Sequence, residues 1–189
     1  MATERRISRA RYTFYVIVLI GAIILMYLFF ARDMRFFLVP TSSMLPTFQP
    51  RDYIMTLNAN NYSRGDLVVL ADPTEAGEYV VKRIVGVEGD RITVQGGALL
   101  LNGGYVSEPY ILEPEIQYTY GPFDVPEGEV FVLGDNRNQS DDSSTWPSGS
   151  VDKDSVVGKV RYIYMPFDRM GAVESYPLAV PDDAGSLAN

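Results

Sequence analysis

Residues 78–87 read EYVVKRIVGV, a run rich in β-branched side chains that contains two adjacent cationic residues, Lys82 and Arg83. A short apolar run of this kind, bounded by turn residues, predicts a β-strand. Because side chains alternate along a strand, Lys82 shares one face with Val80 and Ile84, whereas Arg83 points to the other face. Lys82 then lies either in apolar surroundings or on an edge strand, from which its amine reaches water.

Similar runs continue along the chain and predict the fold class. They are DYIMTL, DLVVLA, DRITVQ, ALLLN, VFVLGD and GKVRYIYM. Gly96-Gly97 and Asn102-Gly103-Gly104 are hairpin signals, because Gly and Asn tolerate positive φ. The pattern predicts a mainly β fold, a compact antiparallel β-sheet assembly, for residues 32–175. Residues 176–189 contain two prolines and end in DDAGSLAN, so we expect a disordered tail.

A long uncharged segment precedes this domain. Residues 12–31 carry no charge over 20 positions, about the length with which a helix crosses a hydrocarbon core of ~30 Å. A cleavable signal peptide fits less well, because Phe29 and Phe30 stand where small residues are needed. Residues 1–11 contain four arginines against one acid. The segment therefore predicts one transmembrane helix in the lipid of the cytoplasmic (inner) membrane, with residues 1–11 in the cytoplasm and the domain outside.

Composition excludes several kinds of chemistry. The 189 residues include no cysteine and no histidine, which rules out thiol nucleophiles, Cys/His zinc sites and every triad that uses imidazole. We expect neither a metal nor a cofactor. Residues 32–189 carry 12 basic and 23 acidic side chains, a net charge of −11, once four arginines and one glutamate of residues 1–11 are set aside. So acidic a domain lacks the basic surface that nucleic-acid binding requires.

Two adjacent serines in VPTSSMLPTF, residues 39–48, are candidate nucleophiles. A serine attacks a carbonyl only if another group accepts its proton, and without imidazole the candidates are a carboxylate, a tyrosinate or an amine. The chain has three lysines, Lys82, Lys153 and Lys159. Lys153 lies between two aspartates, which favour its charged form. Burial of Lys82 in apolar surroundings would lower its pKa and make the amine a general base.

Four segments resemble those of the bacterial type I signal peptidases (leader peptidases) of the Ser/Lys class, and they occur in the family's order. They are PTSSMLPT (40–47), RGDLVVL (64–70), YVVKRIVGVEGD (79–90) and FVLGDNRNQSDDS (131–143). The resemblance implies a β-sheet fold of the signal-peptidase type. It also implies a membrane-anchored serine endopeptidase that removes signal peptides from exported precursor proteins, after small residues in an Ala-x-Ala pattern.

The same resemblance assigns roles to individual residues. Ser43 is expected to be the nucleophile and Lys82 the general base. The backbone N–H of Ser43 and the hydroxyl of Thr41 are expected to form the oxyanion hole, and Ser140 is expected to hydrogen-bond and orient Lys82. A structural role close to the site is implied for Asp135, Asn136, Asp142 and Arg83. Asp135 and Asn136 could alternatively just make a turn.

One position departs from the family pattern. Many members carry an arginine two residues after the aspartate that matches Asp142, and this chain has Ser144 there. We expect Asp142 either to pair with Arg83 or to be solvated.

The resemblance also suggests where a substrate binds. The peptide would lie extended between residues 36–43 and 78–82, with strand-like hydrogen bonds. Candidates for lining its shallow apolar pockets are Phe37, Val39, Val80 and Ile84, although apolar strand residues are more often plain core. Eleven residues separate Ala31 from Ser43, so even a fully extended connector reaches at most ~40 Å from the membrane segment.

Two other functions remain open from the sequence. One is a specialised Ser/Lys peptidase that matures a single substrate, such as a conjugation pilin. The other is a catalytically inactive, membrane-tethered β-domain that binds peptides, against which the presence of both Ser43 and Lys82 argues. The oligomeric state cannot be predicted from these residues.

Overall fold

The computed structural model describes residues 2–31, 33–59 and 61–178 and divides the chain into two units, Met1–Arg35 and Phe36–Asn189. The first unit consists mainly of one helix, α1 (Ala2–Ala31). Its stretch Arg11–Leu28 is long and apolar enough to cross a membrane, and none of it is buried in the protein. The helix also includes residues 2–11 of the predicted cytoplasmic arm, because the arginines there are good helix formers.

The second unit is built from antiparallel sheets. The described residues form twelve strands: β1 (Met34–Leu38), β2 (Tyr53–Leu57), β3 (Leu67–Ala71), β4 (Tyr79–Val87), β5 (Arg91–Gln95), β6 (Ala98–Leu101), β7 (Gly104–Tyr105), β8 (Tyr120–Asp124), β9 (Glu129–Leu133), β10 (Val151–Asp152), β11 (Val156–Met165) and β12 (Gly171–Ala172). The larger sheet has the order β1-β2-β11-β3-β4-β9-β10, with β12 also paired to β11. The smaller sheet has the order β7-β6-β5-β8.

The predicted mainly β fold is confirmed. Each of the seven quoted apolar runs overlaps one of the strands β2, β3, β4, β5, β6, β9 or β11, and β9 and β11 start one and two residues before their runs. Both hairpin signals lie at turns, because Gly96 and Gly97 join β5 to β6 with φ of 62° and 80°, and Asn102 and Gly103 join β6 to β7 with φ of 54° and 86°. The sequence did not predict β8, whose sequence YGPFD includes a glycine and a proline that usually indicate a loop.

Strand β4 connects the three apolar clusters of the core. Val85 belongs to the cluster that joins the two sheets, Val81 to the cluster around the segment after β1, and Ile84 to the cluster around Trp146. Burial of each such side chain stabilises the fold by about 1.5–3 kcal/mol. The strand that carries Lys82 and Arg83 is therefore among the most firmly held in the domain.

The predicted tail packs on the domain at its start. Leu178 is buried in the cluster that joins the sheets, and the ring of Tyr176 lies 5.4 Å from that of Tyr110. The predicted boundary at residue 176 is therefore wrong by at least three residues, because these side chains bury apolar surface. The remainder of the predicted tail, residues 179–189, lies outside the described residues.

Candidate active site

Lys82 lies on an interior strand. β4 is hydrogen-bonded to β3 on one side and to β9 on the other, and Lys82 is directly opposite the fully buried Val68. Lys82 is only 3% exposed. The alternative that this lysine reaches water from an edge strand is therefore wrong, because neighbouring strands cover both sides of β4.

Ser43 lies in a tight turn that the core holds in place. The turn follows β1 and is fixed by Met44 and Phe48, which are both fully buried in the cluster that includes Val81 of β4. The backbone N–H of Phe48 donates to the carbonyl of Met44 at 2.9 Å, and that of Val39 donates to the carbonyl of Asp52 at 2.8 Å. Ser43 itself is 9% exposed, so the packing of this turn leaves little of the residue open to solvent.

The two candidate catalytic side chains are in contact although they are 39 positions apart. Lys82 Nζ lies 3.0 Å from Ser43 Oγ, within hydrogen-bond distance. Thr41 Oγ1 lies 3.2 Å from the same oxygen. A serine hydroxyl with an amine at this distance has the geometry of a nucleophile beside its general base.

The surroundings of Lys82 favour its neutral amine. Burial lowers the pKa of Lys82, and the negative charges of Asp142, Asp141, Asp72 and Asp135 raise it in part, in that order of strength. The net effect is a pKa below the ordinary lysine value, because desolvation outweighs the four carboxylates. A larger fraction of this amine is consequently neutral near pH 7 than of an exposed lysine.

Arg83, which points away from Lys82, forms a buried ion pair with Asp135. Its Nε and Nη2 donate to the two carboxylate oxygens at 2.8 and 2.7 Å, and its Nη1 donates to the carbonyl of Gly65 at 3.0 Å. Thr47 Oγ1 also donates to Asp135, at 2.5 Å. Since Thr47 belongs to the turn that carries Ser43, Asp135 links that turn to β4.

The surroundings of Asp142 correct the expectation that it pairs with Arg83 or is solvated. The carboxylate is fully buried, so it is not solvated, and Arg83 pairs with Asp135 instead. Its hydrogen bonds come from the backbone N–H of Gly134 at 2.9 Å and from the backbone N–H and hydroxyl of Ser144 at 3.0 and 2.7 Å. Ser144 therefore supplies donors to this carboxylate in place of an arginine.

Gly134 separates the Ser43 turn from Ser140. A Cβ at Gly134 would overlap Ser140 Oγ and would lie 2.5 Å from the carbonyl oxygen of Ser43, so only glycine fits here. Ser140 Oγ is buried and has no hydrogen-bond partner within the described part of the chain. The hydrogen bond from Ser140 to Lys82 that the resemblance implies is thus not formed in this structure, and that role stays a prediction.

A second buried ion pair was not predicted from the sequence. The guanidinium of Arg137 donates to both carboxylate oxygens of Glu108 at 2.6 and 2.5 Å, and its Nε donates to the carbonyl of Gly134 at 3.0 Å. Tyr110 donates to Glu108 at 2.6 Å, and its ring lies under Arg83, 3.8 Å from the guanidinium carbon. Burial and the charge of Glu108 raise the pKa of Tyr110, so its hydroxyl stays protonated as a donor.

The four expected pocket residues separate into two pairs. Val39 is 2% exposed and Ile84 is fully buried, so both side chains belong to the core. This burial corrects the expectation that they contact substrate. Phe37 and Val80 are half-buried and remain candidates for substrate contact. Among the residues the structure describes, no group of three or more acidic side chains is arranged to hold a metal ion.

Comparison with known proteins identifies the family. The signal peptidase family, peptidase S26, matches residues 9–165. The chain is 35% identical over 160 residues to a signal peptidase I of Leptolyngbya laminosa, a match that covers 78% of this chain and 76% of that protein. It is 32% identical over 184 residues to a signal peptidase I of Bacillus licheniformis, covering 90% of this chain and 98% of that protein. A crystal structure of a signal peptidase I from Enterococcus faecalis V583 matches with a TM-score of 0.47 at 29% identity, covering 54% of this chain and 98% of that one.

The chain therefore belongs to the signal peptidase family, peptidase S26, and is a serine endopeptidase.

The lowered pKa of Lys82 predicts a pH-dependent effect on stability. Its pKa in the folded protein lies below the unfolded value of about 10.4, so the unfolded chain binds more protons and wild-type stability rises with pH up to that value. We expect Lys82→Met to unfold at a higher temperature than wild type near pH 6, and the difference to shrink as the pH approaches 10. Thermal unfolding followed by circular dichroism from pH 6 to pH 10 measures this. Ser43→Ala is the control, and a constant difference between Lys82→Met and wild type would show that Lys82 is not desolvated.

The buried ion pair of Arg83 predicts a large loss of stability when the cation is removed. Arg83→Met leaves the carboxylate of Asp135 buried without its cation, which costs about 3–5 kcal/mol. Arg91→Met is the matched control, because Arg91 and Asp124 form an ion pair whose side chains are 56% and 71% exposed, and such pairs contribute about 0–1 kcal/mol. Chemical denaturation gives both free energies of unfolding. Equal losses in the two variants would contradict the structural role of Arg83.

Proposed function

We propose that this chain is a membrane-anchored signal peptidase that removes signal peptides from exported precursor proteins, with Ser43 as nucleophile and Lys82 as general base. The observation that carries the proposal is the 3.0 Å distance between Ser43 Oγ and the amine of Lys82, a residue that is 3% exposed. No imidazole competes for the role of base, because the chain has no histidine.

Acylation begins with proton transfer inside this pair. The neutral amine of Lys82 accepts the proton of the Ser43 hydroxyl while Oγ bonds to the carbonyl carbon of the scissile peptide. The backbone N–H of Ser43 and the hydroxyl of Thr41 donate to the resulting oxyanion. When the tetrahedral intermediate collapses, the carbon–nitrogen bond breaks, and the ammonium of Lys82 returns its proton to the leaving amine. The signal peptide is then esterified to Ser43.

Deacylation repeats these steps with water. Lys82, neutral again, accepts a proton from the water that attacks the ester carbonyl, and the same two donors stabilise the second oxyanion. The ammonium then protonates Ser43 Oγ as the ester bond breaks. Both halves of the reaction depend on an amine that starts neutral, and burial of Lys82 supports this by lowering its pKa.

Substrate specificity follows from an extended peptide between residues 36–43 and 78–82. Phe37 and Val80 are half-buried, and the rings of Phe37 and Tyr79 lie 5.4 Å apart. A shallow apolar pocket at these side chains would accommodate alanine and exclude larger side chains, which would give cleavage after an Ala-x-Ala pattern. Backbone hydrogen bonds of the β-strand type would supply affinity independent of the remaining side chains.

Anchoring would place this chemistry where its substrates are. The apolar stretch Arg11–Leu28 of α1 would cross the cytoplasmic membrane, with the basic residues before it in the cytoplasm and the β-domain outside. Signal segments of exported precursors lie in the same bilayer. A connector of eleven residues from Ala31 to Ser43 keeps the nucleophile within reach of their cleavage sites.

Processing of a single dedicated substrate, such as a pilin, would use the same pair of side chains, and substrate profiling separates it from general signal-peptide removal. An inactive peptide-binding domain would have no need for a buried amine beside a serine hydroxyl. The close approach of Lys82 and Ser43 therefore favours a peptidase.

Cleavage of defined peptides tests the proposal. We expect the detergent-solubilised full chain to cut a fluorogenic Ala-x-Ala peptide after the second alanine, and a matched Phe-x-Ala peptide at least about tenfold more slowly, because a shallow apolar pocket cannot take the ring. Ser43→Ala and Lys82→Met should each lose at least about a thousandfold in kcat/KM while remaining folded. Product masses locate the cut bond.

Three results would contradict this function or its mechanism. Near-normal rates in Lys82→Met would show that another group is the base. Equal rates for the two peptides would remove the proposed pocket. A wild-type chain that cuts none of a broad set of Ala-x-Ala peptides would favour the tethered binding domain.

A further inference from the structure

Asn136 contacts the turn that carries Ser43, residues 41–48 (the nucleophile turn), through two groups at once. Its backbone N–H donates to the carbonyl of Ser43 at 3.0 Å, and its side-chain Nδ2 donates to the carbonyl of Ser42 at 3.2 Å. The residue is 2% exposed and lies in the loop that follows β9. Asn136 therefore holds both peptide groups that flank the Cα of the nucleophile.

The hydrogen bond from Asn136 to the carbonyl of Ser42 determines the direction of the backbone N–H of Ser43. The carbonyl of Ser42 and the N–H of Ser43 belong to one planar trans peptide, so they point in opposite directions. A donor bound to that carbonyl fixes the plane and with it the direction of the N–H. Leu45 N–H donates to the same carbonyl at 3.1 Å, so two donors hold it. Hydrogen bonds to a carbonyl also polarise its peptide, which strengthens the N–H as a donor.

The loop that carries Asn136 is itself fixed on both sides. Asp135 is bound by Arg83 and Thr47, and Arg137 is bound by Glu108, so buried ion pairs hold the residues immediately before and after Asn136. Ion pairs of this kind restrict where the Asn136 amide can lie. Turned the other way, the amide would place its oxygen against the carbonyl of Ser42, and two acceptors would face each other.

From this geometry we infer that Asn136 is a positioning residue for the oxyanion hole, which acts by holding the peptide group between Ser42 and Ser43. It touches neither the substrate nor the reacting atoms and works through the N–H of Ser43. The inference rests on the proposed function, in which that N–H stabilises the oxyanion. The carbonyl of Asn136 also accepts from the backbone N–H of Gln139 at 3.0 Å, within the turn after β9. If Asn136 only shaped that turn, it would not affect the N–H of Ser43.

The experiment compares Asn136→Ala with wild type on the Ala-x-Ala peptide. We expect kcat to fall at least about tenfold, part of the roughly hundred- to thousandfold that loss of one oxyanion donor costs, with KM within about twofold. A peptide aldehyde, which adds the Ser43 hydroxyl across its carbonyl to give a hemiacetal, should lose affinity by the same factor as kcat/KM. The acid limb of the pH–rate profile should not move, because the pair of Ser43 and Lys82 is unchanged.

Asn138→Ala is the matched control in the same loop. Its side-chain Nδ2 donates to the carbonyl of Glu115 at 3.1 Å and to the carboxylate of Glu113, and neither residue belongs to the nucleophile turn, so kcat should stay within about twofold of wild type. Asn136→Asp is the second variant and keeps the shape of the side chain while removing the Nδ2 donor. Measured at the pH optimum of each protein, it should lose kcat as Asn136→Ala does.

The outcomes separate this inference from the function on which it depends. If wild type cleaves and either folded Asn136 variant keeps at least half of its kcat, the inference is wrong and the function stands. If kcat, KM and thermal stability all worsen together and aldehyde affinity does not follow kcat/KM, Asn136 has only a structural role and the inference is also wrong. If wild type cleaves no peptide, the proposed function fails and the inference fails with it.

Discussion

The burial of one lysine amine beside a serine hydroxyl is the constraint on which the rest of this site depends. An ammonium ion removed from water without a bound partner costs far more than a neutral amine does, so burial and chemistry favour the same protonation state. Burial requires an interior strand, and β4 is covered by β3 and β9. Contact with Ser43 requires that the turn after β1 be held against that strand, which Met44, Phe48 and Val81 do by packing in one cluster.

The charges around the site are arranged so that they do not pair with this amine. Four aspartates act on Lys82, and each would favour its ammonium form. The two that are buried have other donors: Asp135 binds Arg83 and Thr47, and Asp142 binds Gly134 and Ser144. These donors already pair with the two buried carboxylates. Burial therefore remains the largest effect on the pKa of Lys82 and lowers it. The same hydrogen bonds fix the loop after β9 against the nucleophile turn.

Much of the fold could be predicted from local patterns and the candidate pair of Ser43 and Lys82 from the family resemblance, whereas long-range contacts could not. Strand alternation put Lys82 among apolar side chains, but only the sheet order shows that β4 is an interior strand. The partners of Asp142 are largely backbone groups, which a sequence does not specify. Glu108 and Tyr110 come from a segment without a motif, and they reach Arg137 and Arg83 only through the folded chain. Val39 and Ile84 were expected to contact substrate and are instead buried in the core, because an apolar residue in or beside a motif can have only a packing role.

The proposed mechanism depends on the protonation state of Lys82, which is accessible to measurement because the chain has three lysines. Lysine side-chain ¹³C and ¹⁵N resonances of the detergent-solubilised protein can be titrated by NMR, with Lys82→Met assigning the signal. We predict that the Lys82 resonance titrates well below the ordinary lysine value, because burial lowers the pKa of this amine. A Lys82 that titrates at the ordinary value of about 10.4 would contradict the neutral base on which the mechanism rests.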